Sequence, residues 1–440
     1  MRREAWAKAL GLMAVGLGLT VVLARIDWLV TERQARQQEA QEQVAQATAG
    51  PQLIAGPYLR RECTEEWTAV ETTDDARGKL ERRSRQRRDF ALRNTPASLQ
   101  VQGELKPQQL ERGLFKVNTF VAPLHLSARW DSAPDLSPRS DKLEGSMRCG
   151  PVAITLDVSD ARGLRSVGVL AQGAALNARP GNGSGGAGLH AVLPPSPAQP
   201  EGPLQVDLRL ELLGTESLRL LPAANAVQAQ IRSAWPHPSF HGRFLPVDRN
   251  VNDTGFTATW RVTELASTAA ADLRAGKASE DLLGVSLIDP VSPYSLSDRA
   301  LKYGFLFIAL TLAAVMLAEL LGRHRLHPVQ YGFVGLALAL FFLLLLALSE
   351  HLAFGIAYAL AAAAASTLLA HYGRGLFGHW RGGALLGAGV ALLYGALYVV
   401  LNLEKASLLL GTLLLFALLA AAMRATRDVD WYRLGQPAAH

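Results

Sequence analysis

The chain has 440 residues, of which 49% are hydrophobic and 19% are charged, and its mean hydropathy is +0.13. This composition excludes a disordered protein, because disordered chains combine low hydrophobicity with high net charge. The hydrophobic residues are unevenly distributed. Residues 300–440 contain only five acidic side chains, whereas residues 26–299 have the composition of a polar globular segment. The C-terminal third therefore predicts membrane-spanning segments rather than a purely soluble enzyme.

The formal net charge of +6 comes from the sequence beside the hydrophobic segments. Residues 26–299 carry 31 basic and 32 acidic side chains, so this large polar segment is nearly neutral. A nucleic-acid-binding protein would need its positive charge on one exposed face of the globular part. The charge distribution therefore argues against nucleic acid as a partner. It indicates instead how the chain is oriented in the membrane.

The N-terminus combines a basic start with a 16-residue apolar run from Ala9 to Ala24. This length also suits a cleaved signal peptide. Residues 25–49 nevertheless continue without glycine or proline in a strongly helix-forming composition. We therefore predict a cytoplasmic N-terminus and an uncleaved first transmembrane helix within residues 1–25, extended outside the membrane by a helix over residues 26–50.

Five further apolar segments follow Arg299, and each is long enough to cross a ~30 Å hydrocarbon core at about 1.5 Å per residue. They lack the polar stripe of a soluble amphipathic helix. We predict five transmembrane helices in residues 300–423 and a cytoplasmic tail over 424–440. The segments are Tyr303–Leu321, Tyr331–Leu348, Leu352–Ala370, Gly383–Leu401 and Ala406–Ala422.

The basic residues beside these segments predict the orientation. A cytoplasmic N-terminus places ten of them on the cytoplasmic side and leaves Lys405 alone in the two short outer loops. Such an asymmetry follows the positive-inside rule. We therefore predict a six-span protein of the bacterial inner membrane with both termini in the cytoplasm and with residues 51–299 in the periplasm.

Residues 51–299 contain short runs of β-forming residues between turn residues, as in LQVDLRLELLG at 204–214. Alternating apolar and polar positions are typical of strands with one buried face. We predict a mainly-β domain of about ten strands, arranged as a sandwich of antiparallel sheets. Cys63 and Cys149 both lie in this exported segment, where an oxidising compartment permits a disulfide; two unlinked cysteines are the alternative.

Several long motifs resemble the CreD family of bacterial inner-membrane proteins, and the resemblance spans nearly the whole chain. It implies a role in cell-envelope integrity and a connection with the regulon of the CreBC two-component system. It supplies no catalytic residues and no cofactor. The motifs are SAWPHPSFHGRFLP (233–246), GFTATWRV (255–262), GVSLIDPVSPYSLSDRALKYGFLFI (284–308), HPVQYGFVGLALALFFLLLLALSEH (327–351) and DVDWY (428–432), with ERGLFKV (111–117) and VSDARGL (158–164) in the exported domain.

Two segments are candidate contact surfaces or structural motifs. The first is Trp235–Pro246, where a zinc site at His237 and His241 would need a third ligand and a regular helix, which the flanking prolines disfavour. The second is Asp289–Tyr294, at the start of the exit segment 289–303, whose prolines we expect to stiffen the link into the second span. The candidate residues are Trp235, His237, Phe240, Phe244, Asp289 and Tyr294.

Seven basic residues lie between Arg77 and Arg88. Such a run is most often a solvated surface. Outside the membrane, its guanidinium groups could instead bind the phosphates of anionic lipids.

The leading functional hypothesis is a non-enzymatic envelope-integrity protein that contacts envelope proteins or lipids through its periplasmic domain. The sequence offers no convincing nucleophile–base set or metal cluster. The alternative is a transporter or channel for an envelope lipid or small solute. That alternative predicts a hydrated cavity in the helix bundle, lined by Tyr394, Tyr398, Gln330 and Glu319.

Overall fold

The structure is a computed structural model, and it divides the chain into two compact units. One unit consists of Met1–Gln38 and Val291–His440, and the other of Glu39–Pro290. The described residues are 2–75, 78–132, 136–138, 140, 145–194, 203–287, 293–322 and 326–402, with isolated positions after 411.

Helices α1 and α3 to α6 are long and apolar enough to cross a membrane, whereas α2 is a single short helix of the β-rich unit. The predicted span Ala406–Ala422 lies almost entirely outside the described residues, so the sixth transmembrane helix stays a prediction. The helices are α1 (Arg2–Ala47), α2 (Ala269–Ala275), α3 (Pro293–Gly322), α4 (Pro328–Ser349), α5 (Phe354–Phe377) and α6 (Trp380–Asn402).

Helix α3 starts earlier than the sequence predicts. It begins at Pro293, whereas the apolar segment was expected to begin at Tyr303, and the residues between them were expected to form a stiff exit. Proline is favoured at a helix start because the amide hydrogen that it lacks would have no partner there. The proline-containing exit is therefore, from Pro293 onwards, the first part of a helix.

Helix α1 packs against small residues of α4. A Cβ on Gly335 would collide with Leu19, and a Cβ on Gly11 would lie 2.7 Å from Pro328 Cγ at the start of α4. Such close approach through glycine is typical of packed membrane helices, which have no hydrophobic driving force between them in lipid. The side of α1 that is buried carries Leu19, Leu23, Ile26 and Val30.

A carboxylate cluster joins α1 to one end of this unit. The Lys8 ammonium of α1 donates to the Glu319 carboxylate of α3, which also accepts from the Tyr331 hydroxyl of α4. The backbone amide of Leu326 donates to the same carboxylate at 3.0 Å. The Glu319 side chain is only 7% exposed, so these partners replace the water that it loses on burial.

A second carboxylate cluster joins α1 to the other end of α4. Arg33 Nε of α1 lies 3.3 Å from Glu350 Oε1, and the Tyr294 hydroxyl of α3 lies 3.5 Å from the same oxygen. Lys8 and Arg33 are separated by about 38 Å along a continuous helix at 1.5 Å per residue. Since the hydrocarbon core is ~30 Å thick, this separation suits clusters at two opposite head-group regions.

The described part of the second unit is mainly β and forms two eight-stranded sheets. Its strands are more numerous than the ten predicted. The first sheet contains β1 (Gln52–Asp75), β2 (Gly78–Asn94), β5 (Ser146–Val158), β8 (Ala178–Pro180), β9 (Gly188–Val192), β11 (Ser217–Leu221), β13 (Pro238–Gly242) and β16 (Leu283–Leu287). The second sheet contains β3 (Ser98–Arg112), β4 (Phe115–Trp130), β6 (Leu164–Ala171), β7 (Ala174–Leu176), β10 (Leu204–Thr215), β12 (Ala226–Ser233), β14 (Asp248–Asn252) and β15 (Gly255–Thr263).

The strand order in the second sheet is β14-β15-β12-β3-β4-β10-β6-β7. In the first sheet it is β13-β16-β11-β1-β5-β9-β8, with β2 also paired to β1. The pairs β1–β11 and β3–β12 are parallel, so the prediction of purely antiparallel sheets was wrong for them. Both parallel pairs join strands that are remote in the chain, and alternation of polarity identifies a strand without identifying its partner.

The two sheets enclose one shared core. Ile54 and Leu156 of the first sheet and Leu126 and Trp260 of the second sheet are all buried in it. This leaves the opposite face of the second sheet, which carries the polar positions of the alternating pattern, available to other contacts.

A disulfide joins Cys63 of β1 to Cys149 of β5, where the two residues are direct partners in the sheet. Their Cα atoms are 4.1 Å apart, and 86 positions separate them in the sequence. A link across so many residues restricts the unfolded chain strongly.

Removing this disulfide should destabilise the β-rich unit. We expect the double variant Cys63→Ala/Cys149→Ala to lose about 2–4 kcal/mol of unfolding free energy, because its unfolded chain is less restricted. Chemical denaturation of the full chain in detergent, followed by the β-sheet circular dichroism signal, measures this loss. Adding a reductant should destabilise the native protein but leave the double variant unchanged. Equal stability of the native protein with and without reductant would contradict the prediction.

Removing the Glu319 carboxylate should destabilise the helical unit more than removing an exposed carboxylate does. We expect Glu319→Ala to cost about 1–3 kcal/mol, because the buried Tyr331 hydroxyl and the Leu326 amide lose their acceptor. Unfolding in detergent, followed by the helical signal, measures the effect. The control is Asp298→Ala, which removes the partner of the exposed Lys302 at 2.7 Å and should have little effect. Equal losses of unfolding free energy in Glu319→Ala and Asp298→Ala would contradict this prediction.

Candidate functional site

The aromatic residues of segment 233–246 are structural. The Phe240 ring meets Phe256 and Trp260 edge-on, with centroid distances of 5.6 and 5.8 Å. Trp260 Nε1 donates to the Phe244 carbonyl at 3.1 Å, and Trp235 Nε1 donates to the His237 carbonyl at 3.1 Å. Trp235, Phe240 and Phe244 all pack against the shared core. This segment therefore closes one side of the core, and His237 is the exposed one of its two histidines.

His241 lies in a different environment from His237. It sits on β13 beside Gly284 of β16, which is in turn paired with Arg219 of β11. A Cβ on Gly284 would lie 2.7 Å from the His241 ring and 2.9 Å from Arg219 Cγ, so only glycine fits between them. Burial, and then the Arg219 charge, lower the pKa of His241. Among the residues that the structure describes, no three potential ligands of the His, Cys, Asp and Glu types form a metal-binding group.

The second candidate segment contributes one residue that can be placed. Asp289 lies outside the described residues. Tyr294 belongs to the first turn of α3, where its hydroxyl faces Glu350 and its carbonyl accepts from Gln34 Nε2 at 3.4 Å. It therefore helps to hold α1 against the helical unit.

The residues expected to line a transport cavity are engaged in separate packing and capping contacts. Tyr394 is 2% exposed and stacks on Phe341 with a centroid distance of 4.0 Å. Tyr398 packs on Tyr358 at 5.0 Å. The Gln330 side chain accepts from the His327 amide and caps α4, and Glu319 is held by the cluster described above.

The basic run 77–88 is partly described. The side chains of its first half, including Arg77 and Arg82, lie outside the described residues. Of those on β2, Arg85 pairs with Glu66 at 2.8 Å, and Arg87 pairs with Asp89 at 3.1 Å. The described part of the run is therefore partly neutralised by carboxylates of its own hairpin.

The motif VSDARGL holds the C-terminal end of α1. The Arg162 guanidinium donates to the carbonyls of Ala45 and Gln46 and pairs with Asp160 at 2.6 Å. This pairing holds the pKa of Asp160 at about 2. A Cβ on Gly163 would collide with the Leu213 carbonyl, so the turn requires glycine. The last carbonyls of a helix have no hydrogen-bond donors within that helix. At the end of α1, the Arg162 guanidinium supplies such donors.

A groove of about 900 Å³ crosses the outer face of the second sheet, and no motif of the sequence indicates it. It lies over an interruption in the pairing of β3 and β4, opposite Pro123, which has no amide hydrogen to donate. One row of paired residues crosses five strands along it. In order, this row consists of Gln230, Gln102, His125, Arg209 and Gly168.

Apart from Gly168, the fully exposed residues of the groove are polar, whereas Pro123 and Val167 add partly exposed apolar surface. The fully exposed residues are Gln102, Ser166, Gly168, Arg209, Gln230, Arg232 and Thr257. An Arg232–Glu104 ion pair of 3.0 Å lies at one side. The alternation in QVQGE (100–104) and QAQIR (228–232) could have indicated a glutamine-rich outer face, but it could not have shown that the two strands are neighbours.

Comparison with known proteins identifies the family. Residues 4–432 match the family described as "Inner membrane protein CreD". The chain is 32% identical over 437 residues to the inner membrane protein CreD of Escherichia coli K12, covering 98% of this chain and 94% of that protein. A crystal structure of an M1 zinc metallopeptidase from Deinococcus radiodurans aligns with 43% of this chain and 42% of its own length, at 12% identity. Its TM-score of 0.22 establishes no shared fold.

These matches and the five long apolar helices make the protein a multi-pass protein of the bacterial inner membrane. They also confirm the resemblance drawn from the motifs. The chain belongs to the CreD family of inner membrane proteins.

Proposed function

We propose that this protein supports cell-envelope integrity through non-enzymatic contacts made by its β-rich unit on the periplasmic side. The groove on the second sheet is the observation that carries the proposal. It is a large concave surface crossed by the row of paired residues from Gln230 to Gly168, which presents the polar side chains of Gln230, Gln102, His125 and Arg209. The helical unit then serves as the anchor that keeps this surface at the membrane.

Binding rather than catalysis is supported by the chemistry of the groove. His125 Nε2 lies 3.5 Å from Asp207 Oδ1, which resembles the base and orienting carboxylate of a catalytic set. A nucleophile would have to lie within hydrogen-bond reach of that imidazole. Among the described residues, no serine, threonine or cysteine donates to His125. A contact surface accounts for these residues without such a partner.

The proposal includes six transmembrane helices with both termini in the cytoplasm. The separation of about 38 Å between Lys8 and Arg33 on one helix supports two ion clusters on opposite sides of the bilayer. The positive-inside distribution supports the same direction, with Lys8 on the cytoplasmic side. Transport is not proposed, because the residues expected to line a cavity serve packing and capping contacts instead.

The orientation can be tested with alkaline phosphatase fusions, since this enzyme is active only after export. We expect activity for fusions after Gly276, in the β-rich unit, and after His351, in the loop between α4 and α5. Fusions after His379, between α5 and α6, should be inactive, and a cytoplasmic reporter at the same positions should give the opposite pattern. An active fusion after His379 together with an inactive one after Gly276 would overturn the orientation.

The contact function can be tested by complementation of a strain that lacks the gene. We expect the deletion to increase leakage of a periplasmic marker and sensitivity to detergent, and the native chain to restore both. A groove-filling variant, Gly168→Ile, should be produced and inserted normally but should fail to restore them. The matched control is Gln100→Ala, on the same sheet face but outside the groove. An unchanged envelope in the deletion strain would refute the envelope role, and full rescue by Gly168→Ile would refute the role of the groove.

A further inference from the structure

We propose that the groove on the second sheet binds an uncharged polysaccharide strand that carries hydroxyl and acetamido groups. This inference rests on the proposed function, because it names the class of envelope component that the same surface contacts. Four features of the groove support it: its extent, its charge, the chemistry of its exposed side chains and its position on the sheet.

The extent of the groove suits a chain-like ligand. Its lining residues come from six neighbouring strands, from Thr257 on β15 to Gly168 on β6. At the usual spacing of about 4.8 Å between strands, this corresponds to ~24 Å. Sites for small molecules are enclosed and bury most of the ligand surface, whereas this groove is broad and shallow enough to follow an extended polymer.

The charge of the groove suits an uncharged ligand. Its lining contains two carboxylates, Glu104 and Glu211, and two guanidinium groups, Arg209 and Arg232. The Glu104 and Arg232 groups are already paired at 3.0 Å. A strongly anionic ligand such as a phospholipid headgroup or a nucleic acid would need an excess of basic groups, which this lining does not provide.

The exposed side chains of the groove supply hydrogen-bond donors and acceptors. Gln102 and Gln230 face each other across β3 and β12, and each amide offers two donor hydrogens and an acceptor oxygen. Within the described residues, neither amide has a hydrogen-bond partner from another side chain or from the backbone. Such amides match the hydroxyl and acetamido groups of a sugar chain.

The position of the groove separates this ligand from an extended peptide. A peptide that adds to a sheet uses the unpaired backbone groups of an edge strand. The groove crosses the face of the sheet over interior strands, and the edges are β14 and β7. The surface therefore offers side chains rather than a free backbone ladder.

Gly168 provides a steric test of the groove. It is exposed and paired with Arg209, and a Cβ added to it would meet nothing nearer than the Arg209 carbonyl at 4.0 Å. Its backbone is not in the left-handed region, so an ordinary residue fits there. A larger side chain at this position would fill the groove without disturbing the core.

The experiment measures binding to the purified full-length protein in detergent, with the tetrasaccharide of β-1,4-linked N-acetylglucosamine as the probe. Isothermal titration gives the affinity, and co-sedimentation with purified peptidoglycan sacculi gives a second readout. We expect Gln102→Ala/Gln230→Ala to weaken tetrasaccharide binding about tenfold, because two hydrogen bonds are lost. Gly168→Ile should abolish binding. The matched control Gln100→Ala/Gln228→Ala changes glutamines on the same two strands and the same face, outside the groove, and should leave the affinity unchanged.

Three outcomes would overturn the inference. The first is that the native protein binds neither the tetrasaccharide nor the sacculi. The second is that the two groove variants bind as tightly as the native protein. The third is that a free peptide of the wall, without sugar, binds as well as the sacculi do. Each of these results leaves the leakage test of the deletion strain unaffected. Failure of the glycan-binding hypothesis can therefore be distinguished from failure of the proposed envelope role.

Discussion

Two buried carboxylates depend on cations that the first helix carries. Glu319 and Glu350 lie at opposite ends of the helical unit, and their side chains are 7% and 8% exposed. Lys8 and Arg33 of α1 neutralise them, so α1 is a structural member of this unit. A buried carboxylate left without its partner is strongly unfavourable. The glycines that let α1 approach α4 complete the same interface.

The same helix is also held in the β-rich unit. Its last carbonyls accept from Arg162, whose orientation Asp160 fixes, while Gly163 allows the turn to pass close to Leu213. Here a short motif that resembles the family has a clear structural task. The groove on the second sheet is lined by other residues. In the proposed function, anchoring and contact therefore use separate sets of side chains within one chain.

Sequence patterns predicted the elements better than their partners. The length of the apolar segments correctly predicted four helices after Arg299 that the structure describes. The alternation of apolar and polar residues correctly predicted strands such as β10 and β12, because a strand with one buried face has an apolar residue at every second position. The start of α3 was missed, since the prolines were expected to stiffen a link rather than to begin a helix. The parallel pairs and the groove were also missed. The glutamines of β3 and β12 become neighbours only through pairing between strands more than a hundred residues apart, which local composition does not encode.

The contact between Lys8 and Glu319 has a consequence for biosynthesis, because 311 positions separate the two residues. The ribosome completes α1 and the entire β-rich unit before it makes either carboxylate of the helical unit. During that interval α1 must reside in the bilayer or at the insertion machinery, while Lys8 and Arg33 are not yet paired with Glu319 and Glu350. Assembly of the helical unit is thus a late step that follows synthesis of the β-rich unit. The first helix gains these carboxylate partners only after the carboxy-terminal part of its own chain has been made.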